Sequence, residues 1–157
     1  MADTVILRGL MPTASMNELY GEAIRSESRK QTGRGTTNVS GATANRRTLT
    51  CGDSITVEIT TRSDGCGIES VTWDGEGCSV MLASASMMSE HVSGGSLIEM
   101  RESVGRLRRI VTEKNTPVLT RRPYEAALGS VQLFPNRRRC AMLPWEALEA
   151  AAELTES

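Results

Sequence analysis

Residues 48–59 run TLTCGDSITVEI. Ile55, Val57 and Ile59 alternate with Thr56, Glu58 and Thr60, the two-residue period of a strand with one buried face. Just ahead of it, Cys51-Gly52-Asp53 sets a thiol and a carboxylate on either side of a glycine hinge. Downstream, RSDGCG at 62–67 predicts a turn, with Asp64-Gly65 the hairpin signal. A second strand follows through Val71 and Trp73, and DGEGC at 74–78 is expected to break it. SVMLASASMMSEHV at 79–92 then takes helical spacing, with Met81, Ala85, Met88 and Val92 on one face and Gly94-Gly95 as its stop.

Further from this centre the pattern is mostly helical. Ser15 and Glu18 form a capping box ahead of Met16, Leu19, Tyr20, Ala23 and Ile24, which recur as in an amphipathic helix. KQTGRGTTNVSGATAN, at about 30–45, has almost no large apolar residue and is expected to be a mobile loop. Ser96 and Glu99 open a helix carrying Leu97, Met100, Val104, Leu107 and Val111, and Pro117 and Pro123 bracket a loop. PYEAALG at 123–129 predicts a short helix closed by Gly129, and Pro144 is placed to begin a new helix. The sum is an α+β class: a small antiparallel β-sheet packed against several α-helices. A single domain over 1–157 is expected, with a flexible N-terminal extension of about 1–15.

Lys and Arg total 18 against 19 Asp and Glu, a net charge of −1, so bulk electrostatics call for neither nucleic acid nor a membrane surface. Aromatics at 3% argue against base-stacking platforms, and 8 Met with many Ala must fill the core. The opening residues lack a signal-peptide pattern and no apolar run is long enough to span a bilayer, so a cytoplasmic protein is expected. In that reducing compartment, cysteines at 51, 66, 78 and 140 favour metal binding or catalysis over a disulfide framework.

Cys51, Cys78 and Cys140 share a placement at the edge of a regular element, beside Gly or basic residues. With Asp53 they supply three thiolates and a carboxylate, a tetrahedral zinc set with sulfur at about 2.3 Å and oxygen at about 2.0–2.2 Å. There is no CxxC pair, and spacing by itself leaves a metal site and ordinary buried thiols both open.

LYGEAI (19–24), CGDSITVEI (51–59), DGEGCSVMLASASMMSE (74–90) and FPNRRRCAMLPWEAL (134–148), in that order, resemble the SufU group of the NifU/IscU-like iron-sulfur assembly proteins. The CGD turn, the GxGC ahead of an Ala-Ser-Ala-Ser-Met-Met helix, and the third cysteine in a Phe-Pro-x-Arg context carry most of the likeness. IscU-type scaffolds are similar but shorter between the last two cysteines, and carry His where this chain has Arg139. The resemblance implies a SufE/NifU-like fold with a metal site at one end, and Cys51, Asp53, Cys78 and Cys140 as the metal ligands. It also implies a zinc-dependent sulfurtransferase, accepting persulfide sulfur from a SufS-like cysteine desulfurase and passing it to downstream iron-sulfur assembly components. The alternative is a scaffold on which a labile 2Fe-2S cluster is built on the same four residues.

Cys51 is the expected sulfur acceptor, since it shares a flexible turn with Asp53 and can swing out without unwinding a helix. Arg137 and Arg139, beside Cys140, are expected to offset the charge of a thiolate-rich site and lower thiol pKa. Cys66 falls in the Asp-Gly turn, has no counterpart in the family motif and is expected to be an incidental exposed thiol. His91 lies roughly 220° around its helix from Cys78 at 100° per residue. It is expected to face away from the site and to act as a favourable charge in the last helical turn.

Overall fold

The computed structural model describes residues 13–35, 41–49, 52–112 and 122–155. Helix α1 spans Thr13–Lys30, followed by strands β1 (Ala42–Arg47), β2 (Ser54–Thr61) and β3 (Ile68–Glu76). Helices α2 (Ser79–Val92), α3 (Leu97–Thr112) and α4 (Pro123–Gly129) come next, then a 3-10 turn (Ser130–Leu133) and α5 (Pro135–Thr155). The strands form an antiparallel sheet in the order β1-β2-β3. No helix among the described residues is long and apolar enough to cross a membrane.

The alternation in β2 turns Ile55, Val57 and Ile59 inward, each buried, and Val71 and Trp73 of β3 join them. Against this sheet pack α2 and α5, whose Met81, Met88, Trp145 and Leu148 are fully buried. Glu58, on the other face of β2, is also buried and accepts a hydrogen bond from Thr72 Oγ1 at 3.5 Å, where alternation alone expects exposure.

Helix α2 is buried nearly all round, because α1, α5 and β3 all lie against it. Its buried serines are tied to backbone or carboxylate: Ser84 to the Ala141 carbonyl, Ser86 to Glu27, Ser89 to the Val71 carbonyl. In α3, the expected stripe is the observed one, and the Glu99 N–H donates to Ser96 Oγ at 3.1 Å as a capping box requires.

Several boundaries differ from the sequence expectation. Helix α1 begins at Thr13, so residues 13–15 of the expected extension are helical; those before them lie outside the described residues. The stretch expected as a loop over about 30–45 holds most of β1, paired with β2 from Ala42↔Ile59 to Arg47↔Ser54. The only apolar residues of β1 are two alanines, too small to announce a strand. Upstream in the same stretch, Gly33 and Gly35 exchange backbone hydrogen bonds with Trp73, and the Thr32 carbonyl accepts from Trp73 Nε1. Gly33 is required there: at φ +82° it approaches α2 so closely that a Cβ would sit 1.9 Å from Ser89 Oγ.

Strand β3 runs on through Asp74-Gly75-Glu76 rather than breaking. Gly75 lies so near β2 that a Cβ would meet the Ser54 carbonyl oxygen at 2.3 Å, the close backbone approach a strand glycine can mark. Pro144 does not begin a helix; it lies inside α5. With no N–H of its own it cannot bond the Cys140 carbonyl, a defect that costs about 3 kcal/mol in an isolated helix. Burial of Trp145, Ala147 and Leu148 beyond it carries the helix through. The Ser84 hydroxyl bridges the discontinuity, donating to the Ala141 carbonyl at 2.6 Å and accepting from Trp145 Nε1 at 3.0 Å.

Candidate metal centre

The register of β2 and β3 builds the first half of the site. Ser54 pairs with Glu76, so the residues one step beyond, Asp53 and Gly77, are brought together and Cys78 follows. The Cys78 N–H donates to Asp53 Oδ1 at 3.2 Å, and its thiol to Oδ2 at 3.4 Å. Cys78 is also the N-cap of α2. Asp53 is 2% exposed, and its backbone is fixed by reciprocal bonds with Thr48: Thr48 N–H to the Asp53 carbonyl at 2.8 Å, Asp53 N–H to Thr48 Oγ1 at 3.1 Å.

Two glycines serve the site for different reasons. Gly52 has φ +72° with open space where a Cβ would be, so backbone conformation is what it supplies. At Gly77 the constraint is space: a Cβ there would lie 2.8 Å from Asp53 Cγ and 2.6 Å from Met81 Cε.

Helix α5 brings the second half. Cys140, in its second turn, is 2% exposed, and its thiol donates to the Asn136 carbonyl at 3.4 Å. The donor atoms of Asp53, Cys78 and Cys140 all lie within 4.8 Å of one another. A tetrahedral zinc with sulfur at about 2.3 Å needs sulfurs about 3.8 Å apart and sulfur–oxygen spacings of about 3.5 Å. The Cys78–Asp53 spacing already meets this, and the set fits the metal with small side-chain adjustment. Burial, reinforced by Asp53 and Cys78, pushes the Cys140 thiol far up from its ordinary pKa. This surrounding favours the protonated thiol.

The three donors face an open cavity of about 370 Å³, lined also by Gly52, Glu76, Asn136 and Arg137. Arg137 lines this cavity; Arg139 is exposed and is not among the described lining residues. Cys51 lies outside the described residues, next in sequence to the cavity-lining Gly52. Cys66 is exposed in its turn, its N–H bonded to Asp64, and is not part of the cluster. Gly77, Asn136 and Glu76 were not legible as site residues beforehand, although each is within four positions of a donor cysteine.

His91 stands apart from the donors, its ring 4.4 Å from that of Tyr124 and its Nε2 3.5 Å from Ser103 Oγ. Burial first, then the charge of Arg122, pulls its pKa below the usual histidine value. The expected place in the last helical turn is the observed one, and the shift weakens the positive charge that the ring would set against the helix dipole.

The chain is 31% identical over 144 residues to the zinc-dependent sulfurtransferase SufU of Bacillus subtilis (strain 168), covering 87% of this chain and 90% of that one. It is 30% identical over 142 residues to the iron-sulfur cluster assembly scaffold protein IscU of Streptococcus pyogenes serotype M1, covering 90% and 87%. Its fold matches the crystal structure of FiSufU from Fervidobacterium islandicum AW-1 with a TM-score of 0.75 and 26% identity, over 83% of this chain and 94% of that one. The N-terminal part of a NifU-like protein from Brucella abortus shares the fold at a TM-score of 0.76, with 22% identity over 87% and 94% of the two chains. Residues 20–155 match the NifU-like N terminal domain, and it is to this family that the chain belongs.

Proposed function

We propose that this protein serves iron-sulfur cluster assembly as a zinc-dependent sulfurtransferase that accepts persulfide sulfur from a cysteine desulfurase. The observation that carries the reading is the convergence of Asp53, Cys78 and Cys140 on one open cavity. Cys51, adjoining Gly52 at its edge, would complete a four-donor set. The 31% identity to a protein named as a zinc-dependent sulfurtransferase supports it. When bound, zinc would hold its thiol ligands deprotonated, Cys140 against the burial that raises its pKa.

Transfer requires a thiolate of this chain to attack the outer sulfur of the partner's persulfide. A new S–S bond forms as the old one breaks, this chain keeps the persulfide, and the partner's cysteine leaves as a thiolate. Cys51 is the proposed acceptor, because the positive-φ Gly52 beside it belongs to no helix or strand, whereas Cys78 caps α2 and Cys140 sits within α5. Three thiolates, a carboxylate and Zn²⁺ sum to about −2, which Arg137 at the cavity wall and Arg139 on the same helix would offset.

The identity to IscU of S. pyogenes, named as a scaffold, supports a second reading in which a 2Fe-2S cluster occupies the same donors. Oxygen ligation by Asp53 would make such a cluster labile. Metal analysis after strictly anaerobic purification decides between them. About one zinc per chain without visible absorbance, together with stimulation of a cysteine desulfurase, is expected; stoichiometric iron and sulfide would overturn the sulfurtransferase reading in favour of the scaffold.

A further inference from the structure

Beside the thiol cavity lies a second depression of about 350 Å³, walled by α1, the first turn of α2 and the 3-10 turn. Ile24, Val80 and Val131 line it, and Phe134 stands at its edge with 56% of its surface exposed. Its charged lining residues are Arg25 and Arg137, and no carboxylate among the described residues lines it, in a chain whose net charge is −1. Arg25 does pair with Glu22 at 2.8 Å, but both side chains are more than half exposed, so the pair is weak and readily exchanged.

The two depressions are joined. Arg137 lines both, and Ser79, on the wall of the second, directly follows the donor Cys78. An occupant of the apolar depression is therefore held one residue away from the thiols. Its volume is at the low end for a ligand site, suited to one or two side chains rather than a whole helix.

Resting on the sulfurtransferase reading, we propose that this depression docks the persulfide donor: a surface segment of the cysteine desulfurase in which an apolar side chain stands next to a carboxylate. The apolar side chain enters between Ile24, Val80 and Val131 and displaces water, as a buried interface anchor does. The neighbouring carboxylate meets Arg25 and Arg137, which sets orientation and speeds encounter more than it adds affinity. Anchoring at this distance confines the persulfide near the cavity mouth and raises its effective concentration at the acceptor thiolate.

Gly21 gives the test. It lines the depression from α1, and a Cβ there would meet only Arg25 Nη1 at an ordinary 3.5 Å, so Gly21→Phe fills the space without touching the donors. Replacing a helical glycine also favours the helix, which guards against a folding defect. The probes are the same organism's cysteine desulfurase and L-cysteine, with alanine release measured against increasing wild-type, Gly21→Phe or Arg25→Glu protein. For Gly21→Phe, zinc content and thermal unfolding should match wild type and the maximal rate should persist. The concentration giving half-maximal stimulation should rise at least about tenfold, the loss typical of an anchor residue. Arg25→Glu should raise it less and weaken its dependence on salt.

An unchanged half-maximal concentration for Gly21→Phe would overturn the docking assignment. So would a wild-type dimer that Gly21→Phe converts to monomer with stimulation intact, since the occupant would then be a second copy of this chain. Failure of the wild-type protein to stimulate at any concentration would overturn the sulfurtransferase reading itself, and the docking assignment with it.

Discussion

Gly77→Ala places one methyl group against the Asp53 carboxylate. The new carbon would sit 2.8 Å from Asp53 Cγ and 2.6 Å from Met81 Cε. Ordinary carbon contacts begin near 3.4 Å, so the carboxylate must move by about 0.6 Å or the turn must open by as much. Met81 and Asp53 are both buried, but Asp53 lines the open cavity and its carboxylate can swing into that space, so it takes up the displacement there. Metal–ligand distances tolerate only about 0.2 Å, so a shift of this size misplaces the oxygen donor. The expected loss of zinc affinity is about 10- to 100-fold, as when a ligand's support is removed. That is roughly 1.4–2.7 kcal/mol at 1.36 kcal/mol per factor of ten. Competition with a chromophoric chelator measures it, with far-UV circular dichroism confirming the fold. Gly52→Ala is the control: open space surrounds it, so its cost is backbone strain of about 1–2 kcal/mol without a clash at the carboxylate. Wild-type zinc affinity in Gly77→Ala would refute the placement of Asp53 against this glycine, and with it the three-donor geometry.

Asp53→Cys should close the set with a fourth thiolate, retaining zinc at least as well as wild type while stimulating the desulfurase poorly; undiminished stimulation would rule out exchange through this turn. Cys78→Ser and Cys140→Ser should each lose zinc severely in chelator titration and Cys66→Ser should not, because Cys66 lies outside the donor cluster. Ser84→Ala leaves both the Ala141 carbonyl and Trp145 Nε1 without their hydroxyl, at full burial, and should lower stability in urea by about 1–3 kcal/mol with zinc affinity intact. His91 has a folded pKa below its unfolded value of about 6.5, so the unfolded chain binds the proton first. Its contribution is therefore complete above pH of about 6.5 and declines as pH falls through the folded pKa; thermal unfolding of His91→Gln should show a flatter acid limb than wild type.

Much of this architecture was legible because the sequence repeats its signals where burial is one-sided. Ile55, Val57 and Ile59 alternate across a single covered face, and the α3 stripe faces one core, so period and structure coincide. Legibility failed where close backbone contact replaced side-chain pattern. Gly75 looked like a stop yet marks tight strand pairing, and the alanines of β1 are carried by the ladder of β2. Pro144 looked like a helix start because propensity is local, whereas the burial that carries α5 through it is tertiary. For the site, residue type and the family motif indicated Asp53, Cys78 and Cys140, but only the register of β2 with β3 showed why the first two meet. The space at Gly77 and the lining by Asn136 had no signal beyond nearness to a cysteine.

The three described donors come from three separately formed parts of the chain: the end that opens β2, the cap of α2 and the second turn of α5. Such a site has a place in the order of biosynthesis. A chain still on the ribosome displays Asp53 and Cys78 long before Cys140 emerges, and two of these donors alone hold a divalent ion weakly. Firm capture then waits for α5 to be made and to pack against α2 and the sheet. A metal bound only by the finished arrangement would add its binding free energy to the folded state, so loading would act as a late lock on the fold. Chains truncated before α5 should neither keep the ion nor gain the heat resistance that it confers.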